Sequence, residues 1–577
     1  MGAVAGVIGA AFFAALEVSQ QLLLAGAAGF EPVRAHGERF VGAPGATPFR
    51  PWLLALLPAM GGLASGLLTW RFAPEASGGG GDAAIEAYHH GGVVRRRVIP
   101  VKAMAAVLVL GSGGSGGREG PTMQIGAAVG SAVARLLPTS RAERRVLLVA
   151  GIAAGIAAVF RTPLGAALLA TEMMYRDDFE GEALVPAVLA SVVSYSIVIA
   201  IFGETTLFGV LPRFPFRPAH LPLYGALGLV VSLAAVGFVR LLRGVQRVSA
   251  RLPGPPWLRP ALGGLAMGGI GLALALWMGR EHGPEARGFG VFGGGYGALQ
   301  AAITGAGWLP TGGSAIGLLL AAAALKALAS ALTIGSGGAA GDFAPSLVVG
   351  GLMGSAFGHA ARLALGDPRI DPGAFALVGM GTFYGGLAHA PLSALVLVAE
   401  MAGSYDLLVP MMLAVGIAYA ALRRHTLYPA QLPSRAAAGE EERGAGRGAG
   451  PVPRVARVPV ELPAVSDGTG LAELAEVARR GGRQRVVVVS GAEGPRGLVE
   501  LALVLQVPPS ELGWLHVTDA MVPFASVGPD TAFAEIAAVL ERCGISQVPV
   551  VEHGGVVGWI GDRELRAALL AADAAGP

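Results

Sequence analysis

The chain has 577 residues, 53% of them hydrophobic and only 14% charged, with a formal net charge of +3 and a mean hydropathy of +0.60. An average soluble domain is about 25% charged, so this composition excludes a soluble globular chain and points to a membrane protein. The small net charge leaves no footprint for nucleic acid, and the one cysteine, Cys543, excludes an intrachain disulfide or a cysteine-based metal centre.

Met1 opens directly into GAVAGVIGAAFFAALEV, which lacks a basic leader and a small-residue cleavage site. No cleavable signal peptide is expected, and little precedes the first helix. A bilayer core needs about 20 apolar residues per helix. Residues 183–203 and 218–239 each read as one span, and the run 288–325 as long enough for more than one pass. The 90 glycines and 39 prolines suit a bundle in which small residues let helices approach closely and breakers interrupt helices at ion sites.

Charge density rises after Tyr428. Residues 434–454, SRAAAGEEERGAGRGAGPVPR, read as a linker. Beyond it come a helical stretch at 470–481, a strand at 485–490 and GLVELALVL at 497–505. A second round follows, with a helix at 531–544, a strand at 547–551 and VVGWIGDRELRAALL at 556–570. Each round ends in a Gly-led strand running into a helix, so the tail resembles a tandem pair of CBS domains, the second clearly and the first weakly.

The membrane part repeats internally. Residues 101–132 match residues 325–356 at a constant offset of 224. Lys102 meets Lys326, GSGG at 111–114 meets GSGG at 335–338, Pro121 meets Pro345, and GSA at 130–132 meets GSA at 354–356. Downstream, FRTPLGAALLATEM (160–173) matches AHAPLSALVLVAEM (388–401), which pairs Glu172 with Glu400; upstream, PAMGGLA (58–64) matches PALGGLA (260–266). The chain therefore holds two homologous halves, about 1–205 and 218–428. Duplicated bundles commonly place an ion or substrate site where interrupted helices of both halves meet.

Both halves carry a Gly-rich turn opening into a helix, GGREGP at 116–121 and AGDFAP at 340–345, each with proline near the helix start, where its missing N–H does no harm. Such a turn leaves backbone N–H groups pointing outward, and the helix dipole adds roughly half a positive charge at that end. An anion is attracted there. Fixed amide dipoles can replace its hydration without holding it too tightly to leave.

GREGP at 117–121, GDFAP at 341–345, PLGAALLATEM, APLSALVLVAEM and Tyr428 in HTLYPAQLPSR together resemble the CLC family of chloride channels and chloride/proton antiporters, over about 1–435 plus the tail. The resemblance implies an all-α polytopic membrane bundle with an inverted-topology repeat (1–433) and α+β tandem CBS domains (455–577, about 455–508 and 515–577). It also implies a homodimer with one anion pathway per subunit, in a bacterial plasma membrane with the tail in the cytoplasm. Glu119 becomes the gating glutamate: an ionised carboxylate among anion-binding amides competes for the anion's place, and protonation releases it. The expected anion-binding set is Gly80, Gly117, Arg118, Gly120, Asp342, Phe343 and Tyr428. Within it Arg118 is mainly a structural neighbour, Asp342 and Phe343 offer backbone N–H groups, and Tyr428 offers its hydroxyl.

Three departures from the family's pattern bear on this reading. An aspartate at 342 stands where the family usually has an apolar residue, and its side chain is expected to point away from the ligand. The first anion loop, usually GSGIPE, is GGGGDAAIEA at 78–87, which puts Gly80 where the serine belongs and removes a hydroxyl from the site. Antiporters of the family often carry a second glutamate as an internal proton relay, and here LATEMM puts Met173 at that position. Glu172 and Glu400 read as structural caps. Proton-coupled exchange is favoured because Glu119 is intact; a passive chloride channel is the alternative.

In the tail, GWIGDRE (558–564) puts Gly561 and Glu564 at the Thr and Asp positions of the usual nucleotide signature, and GLVELAL keeps neither. No cofactor is expected, with adenine nucleotide in doubt and a dimerisation or docking role at least as well supported. An intramembrane metalloprotease would need HExxH on a helix, whereas IEAYHH (85–90) has the wrong spacing, so no enzyme is expected. A cation channel would display acidic residues inside its membrane segments, and apart from Glu119 and Asp342 these are scarce.

Overall fold

The computed structural model describes the chain apart from 39–46, 138, 210, 436–463, 481–485, 492–493, 506, 509–510, 529–530, 532, 553–554 and 562–577. Contacts divide it into two units, Met1–Arg435 and Ala436–Pro577. Most of the linker expected at 434–454, and the helix expected after Gly561 with Glu564, lie outside the described residues.

The first unit is helical. Its first half runs α1 (Gly2–Gln20), α2 (Pro51–Phe72), α3 (Gly81–His89), α4 (Val98–Gly111), α5 (Glu119–Ala134), α6 (Arg141–Phe160), α7 (Pro163–Glu172) and α8 (Leu184–Phe202). Its second half runs α9 (Leu221–Arg251), α10 (Arg259–Glu281), α11 (Tyr296–Thr304), α12 (Gly313–Gly335), α13 (Phe343–Leu365), α14 (Pro372–Leu387), α15 (Pro391–Ala402) and α16 (Leu408–Ala421). Among the described residues, seven helices are long and apolar enough to cross a membrane. Their outer faces carry exposed side chains such as Leu189 and Leu233, 64% and 77% exposed, which is the pattern of lipid-facing rather than aqueous surface.

The run 288–325 does not make more than one crossing. Residues 289–295 form an irregular Gly-rich turn, α11 is 9 residues long, and only α12 is long enough to span. Nine helical residues reach about 14 Å, roughly half the hydrocarbon thickness. Hydropathy reads a buried, apolar broken segment as a span because both are equally dry.

The duplication is geometric as well as textual. In the first half Lys102, fully buried on α4, donates its ammonium to the carbonyls of Ala76 (3.0 Å) and Gly78 (2.7 Å). In the second half Lys326, fully buried on α12, donates to the carbonyls of Val291 (3.2 Å) and Gly293 (2.6 Å) and to the Ser115 hydroxyl (3.1 Å). Each lysine thereby pins the turn that precedes a nine-residue helix, α3 in one half and α11 in the other. A buried carbonyl left without its donor costs about 1–3 kcal/mol. Lys102→Met, close in volume but without a donor, is therefore expected to lower the thermal midpoint of the detergent-solubilised protein by several degrees, and circular dichroism on heating measures it.

The second unit contains a four-stranded sheet, β1 (Ala464–Ser466), β2 (Val486–Gly491), β3 (Gly494–Glu500) and β4 (Val522–Pro523), and a hairpin, β5 (Gln547–Glu552) with β6 (Gly555–Gly561). Strand β2 pairs parallel to β1 and antiparallel to β3. The run of four valines on β2 is buried on both faces. Val487 and Val489 pack with Leu471 and Leu474 of the helix Leu471–Arg480, whereas Val486 and Val488 pack with Ile536 and Leu540 of the helix Phe533–Cys543 and with Val548 and Val550 of β5. Two-sided burial explains why this strand reads as a continuous apolar run instead of an alternating one. The Glu500 carboxylate joins the two rounds by accepting from the Ser546 amide (2.7 Å) and hydroxyl (3.0 Å).

Candidate functional site

The two Gly-rich turns meet. The Gly117 amide donates to the Gly341 carbonyl at 2.7 Å and the Gly341 amide donates to the Gly117 carbonyl at 2.7 Å, a reciprocal pair between repeat-equivalent residues. Helices α5 and α13 begin within two residues of this pair, so their N-terminal ends are brought side by side. Glycine is required for such an approach. A Cβ on Gly341 would lie 2.6 Å from the Gly120 nitrogen and 3.1 Å from the Gly117 carbonyl oxygen, both backbone atoms.

Glu119, fully buried, is the first residue of α5. Its carboxylate folds back over Gly117, where a Cβ would collide with it; the same point lies 3.1 Å from the Ala344 nitrogen in the first turn of α13. Oε1 accepts from the Tyr296 hydroxyl at 2.8 Å, and Oε2 has no hydrogen-bond partner among the described residues. The ion pair that the adjacent charges of Arg118 and Glu119 suggest does not form. The Arg118 guanidinium lies 4.7 Å over the Phe13 ring and 3.8 Å from Glu38 Oε1, turned toward α1 and the segment after it. A cavity of about 30 Å³ beside Glu119 is lined by Glu17, Glu38, Arg118 and Tyr296, and Arg34 closes an ion pair on Glu17.

Tyr296 is a site residue that sequence reasoning missed. A signal for it exists in the repeat. The turn GGGG at 78–81 corresponds to GGGY at 293–296 with an offset of 215, and the residue after each positive-φ glycine, Gly80 (φ 96°) and Gly295 (φ 90°), opens α3 or α11. Gly81 and Tyr296 are thus equivalent positions.

The other expected residues gather a short way along. Tyr428, 1% exposed, has its hydroxyl 3.5 Å from that of buried Tyr384 and donates to Asp342 Oδ1 at a long 3.4 Å. Phe343 packs between Phe160 (4.9 Å) and Tyr384 (4.3 Å), and Phe160 reaches Tyr296 (6.3 Å), so a wall of aromatic rings runs from the Tyr428 hydroxyl to the glutamate. Two expectations need correction. The Asp342 side chain does not point away: its carboxylate faces the Tyr428 hydroxyl and Gly79. Gly80 does not offer the missing serine's direction, since a Cβ there would sit 2.5 Å from the Gly120 carbonyl oxygen at a left-handed φ. The Cβ direction of Gly79 opens toward Asp342 Oδ2, at 3.5 Å, and that of Gly81 faces the Tyr428 ring and hydroxyl, at 3.0 and 3.4 Å.

Glu172 and Glu400 cap each other's helices. Glu172 accepts from the amides of Leu392 (3.1 Å) and Ser393 (2.8 Å) at the start of α15, and from the Ser393 hydroxyl. Glu400 accepts from the amides of Leu164 (3.2 Å) and Gly165 (2.8 Å) at the start of α7. Met173 is fully buried.

A duplicated membrane bundle whose broken helices bring their N-terminal ends side by side in its buried interior is the class that fold and site define. Residues 61–423 match the family model described as voltage gated chloride channel, and 517–571 match the CBS domain. With most of its length so matched, the chain belongs to the voltage gated chloride channel family and carries a CBS domain. It is 35% identical over 370 residues to the H(+)/Cl(-) exchange transporter ClcA of Cronobacter sakazakii, covering 63% of this chain and 76% of the relative. The ClcA of Citrobacter koseri is 34% identical over 369 residues, covering 63% and 74%. Among solved structures, a slow cyanobacterial Cl-/H+ antiporter superposes with a TM-score of 0.58 at 24% identity over 73% of this chain and 92% of that one. A eukaryotic CLC transporter superposes with a TM-score of 0.59 at 18% identity over 98% and 96%. These likenesses establish the fold.

Proposed function

We propose that this protein exchanges chloride for protons across a bacterial plasma membrane, as a homodimer with one pathway per subunit and the CBS tail in the cytoplasm, and that Glu119 gates each pathway. The observation that carries the reading is the carboxylate of Glu119 lying over the joined N-termini of α5 and α13. Amides and dipoles of two helices favour negative charge at one point, and a carboxylate and a chloride compete for it. Ionised, Glu119 holds the place and blocks the path, with the Tyr296 hydroxyl steadying one oxygen. Protonated, it loses its claim on the amides and a chloride takes its seat. Because one site accepts either the carboxylate or the anion, each chloride that enters favours a proton on Glu119, which couples the two flows.

In this reading Gly117, Gly120 and Phe343 shape the amide surface, Tyr428 closes the far end, and Arg118 holds the mouth through Glu38 and Phe13. The named relatives, exchange transporters at 35% and 34% identity, support coupling over passive conduction. Purified protein in liposomes under an outward chloride gradient tests it. Protons should move into the vesicles as chloride leaves; chloride efflux with no proton movement would assign a passive channel instead.

A further inference from the structure

Asp342 is an acid in a place where the transport reading needs a neutral hydrogen-bond donor. It precedes α13, and its backbone carbonyl accepts from the Ser346 amide (3.1 Å) and hydroxyl (2.7 Å), which fixes the residue on the helix end. Its carboxylate is 8% exposed as a residue, with Oδ1 at the Tyr428 hydroxyl and Oδ2 opposite Gly79. A Cβ at Gly79 would meet nothing closer than that carboxylate, so space is open on the loop side, where no residue from 78 to 81 carries a hydroxyl.

Among the described residues no cation closes an ion pair on the Asp342 carboxylate, whose one side-chain hydrogen-bond donor is the Tyr428 hydroxyl at a long 3.4 Å. From α4, Lys102 is the cation that acts on Asp342; its ammonium donates to the carbonyls of Ala76 and Gly78 and forms no ion pair with the carboxylate. From α3, the Asp82 carboxylate accepts from the Ala430 amide at 2.8 Å and adds a second negative charge nearby. From α14, Tyr384 reaches Tyr428, and from α12 Lys326 is spent on the carbonyls of Val291 and Gly293. On α5, Glu119 lies over Gly117.

We propose that Asp342 is a second proton-carrying residue of the anion path: protonated, its O–H supplies the donor that the Gly79–Gly81 loop lacks and holds a chloride beside Tyr428; ionised, it occupies that position and excludes the anion. The inference rests on the transport reading above for the location of the anion. Two like charges in contact cannot share a desolvated site, so chloride enters only with a proton on Asp342, and each chloride bound takes up one proton. By linkage, chloride affinity then rises as pH falls. The device also gives the path an internal titratable group where Met173 provides none.

Chloride binding to the purified full chain carrying Glu119→Gln, followed by calorimetry from pH 5 to pH 9, removes the gate's own titration and tests the proposal. The dissociation constant should weaken by up to about tenfold per pH unit over the range in which Asp342 ionises. Adding Asp342→Asn should make binding independent of pH, and Asp342→Glu should restore the slope. A slope that survives Asp342→Asn, or binding already independent of pH with Asp342 in place, overturns the proposal. If the double variant does not fold, chloride added to weakly buffered Glu119→Gln protein should draw about one proton per anion from solution; no uptake overturns it equally. The binding assay reads no exchange, so failure of the liposome test and failure of this one are separate results.

Discussion

Replacing Glu119 with Gln should leave chloride flux running while proton movement falls to the level of empty liposomes. The amide keeps the size of the side chain and its contact with Tyr296 but carries no charge to compete with chloride and no proton to release. Paired chloride- and pH-electrode recordings on the same vesicles measure both flows, and a variant that still moves protons in a fixed ratio to chloride would remove Glu119 from its assigned role. Coupling should be lost because Glu119 is the carboxylate that lies over the joined helix ends and trades places with chloride there. Chloride flux should also lose its dependence on the protonation of that group.

Gly341→Ala should have the second-largest effect, and for a different reason. The new methyl group would press on the backbone nitrogen of Gly120 at 2.6 Å and on its Cα at 3.0 Å. Neither atom can rotate away as a side-chain tip could. The reciprocal bonds to Gly117 must then lengthen and the N-termini of α5 and α13 must part. Overpacking of this kind costs about 1–3 kcal/mol of stability, and a displacement of roughly 1 Å in a preorganised site costs about a hundredfold in rate. Chloride efflux from liposomes should therefore drop by about that factor while the variant still elutes as folded protein in detergent. Efflux at the wild-type rate would show that close contact of the turns is dispensable.

The pairing of the turns was legible in the sequence because the repeat keeps one register through α4, α5 and their equivalents α12 and α13, so Gly117 and Gly341 align without a gap. Tyr296 was not legible from that register. Helix α12 has 23 residues where α4 has 14, and the nine extra residues shift the turn and short helix just before them from an offset of 224 to one of 215. The buried lysines restore it, since the carbonyls bound by Lys102 and by Lys326 are themselves equivalent at the shorter offset. The direction of Asp342 was hidden for another reason. A residue at a helix start can turn its side chain either way, and the choice here follows from the absence of a side chain at Gly79 and the presence of the Tyr428 hydroxyl, both distant in sequence. Apolar residues 288–325 misled because burial in protein and burial in lipid select the same residue types.

Bromide scatters anomalously and takes chloride's place on amide donors, so a crystal of the Glu119→Gln variant grown in bromide below pH 6 locates the anion directly. Anomalous density is expected in front of the first-turn amides of α5 and α13, with a second peak within hydrogen-bond reach of the Tyr428 hydroxyl and Asp342. Density confined to the protein surface, with the turns at 117–121 and 341–345 empty under saturating bromide, would contradict it.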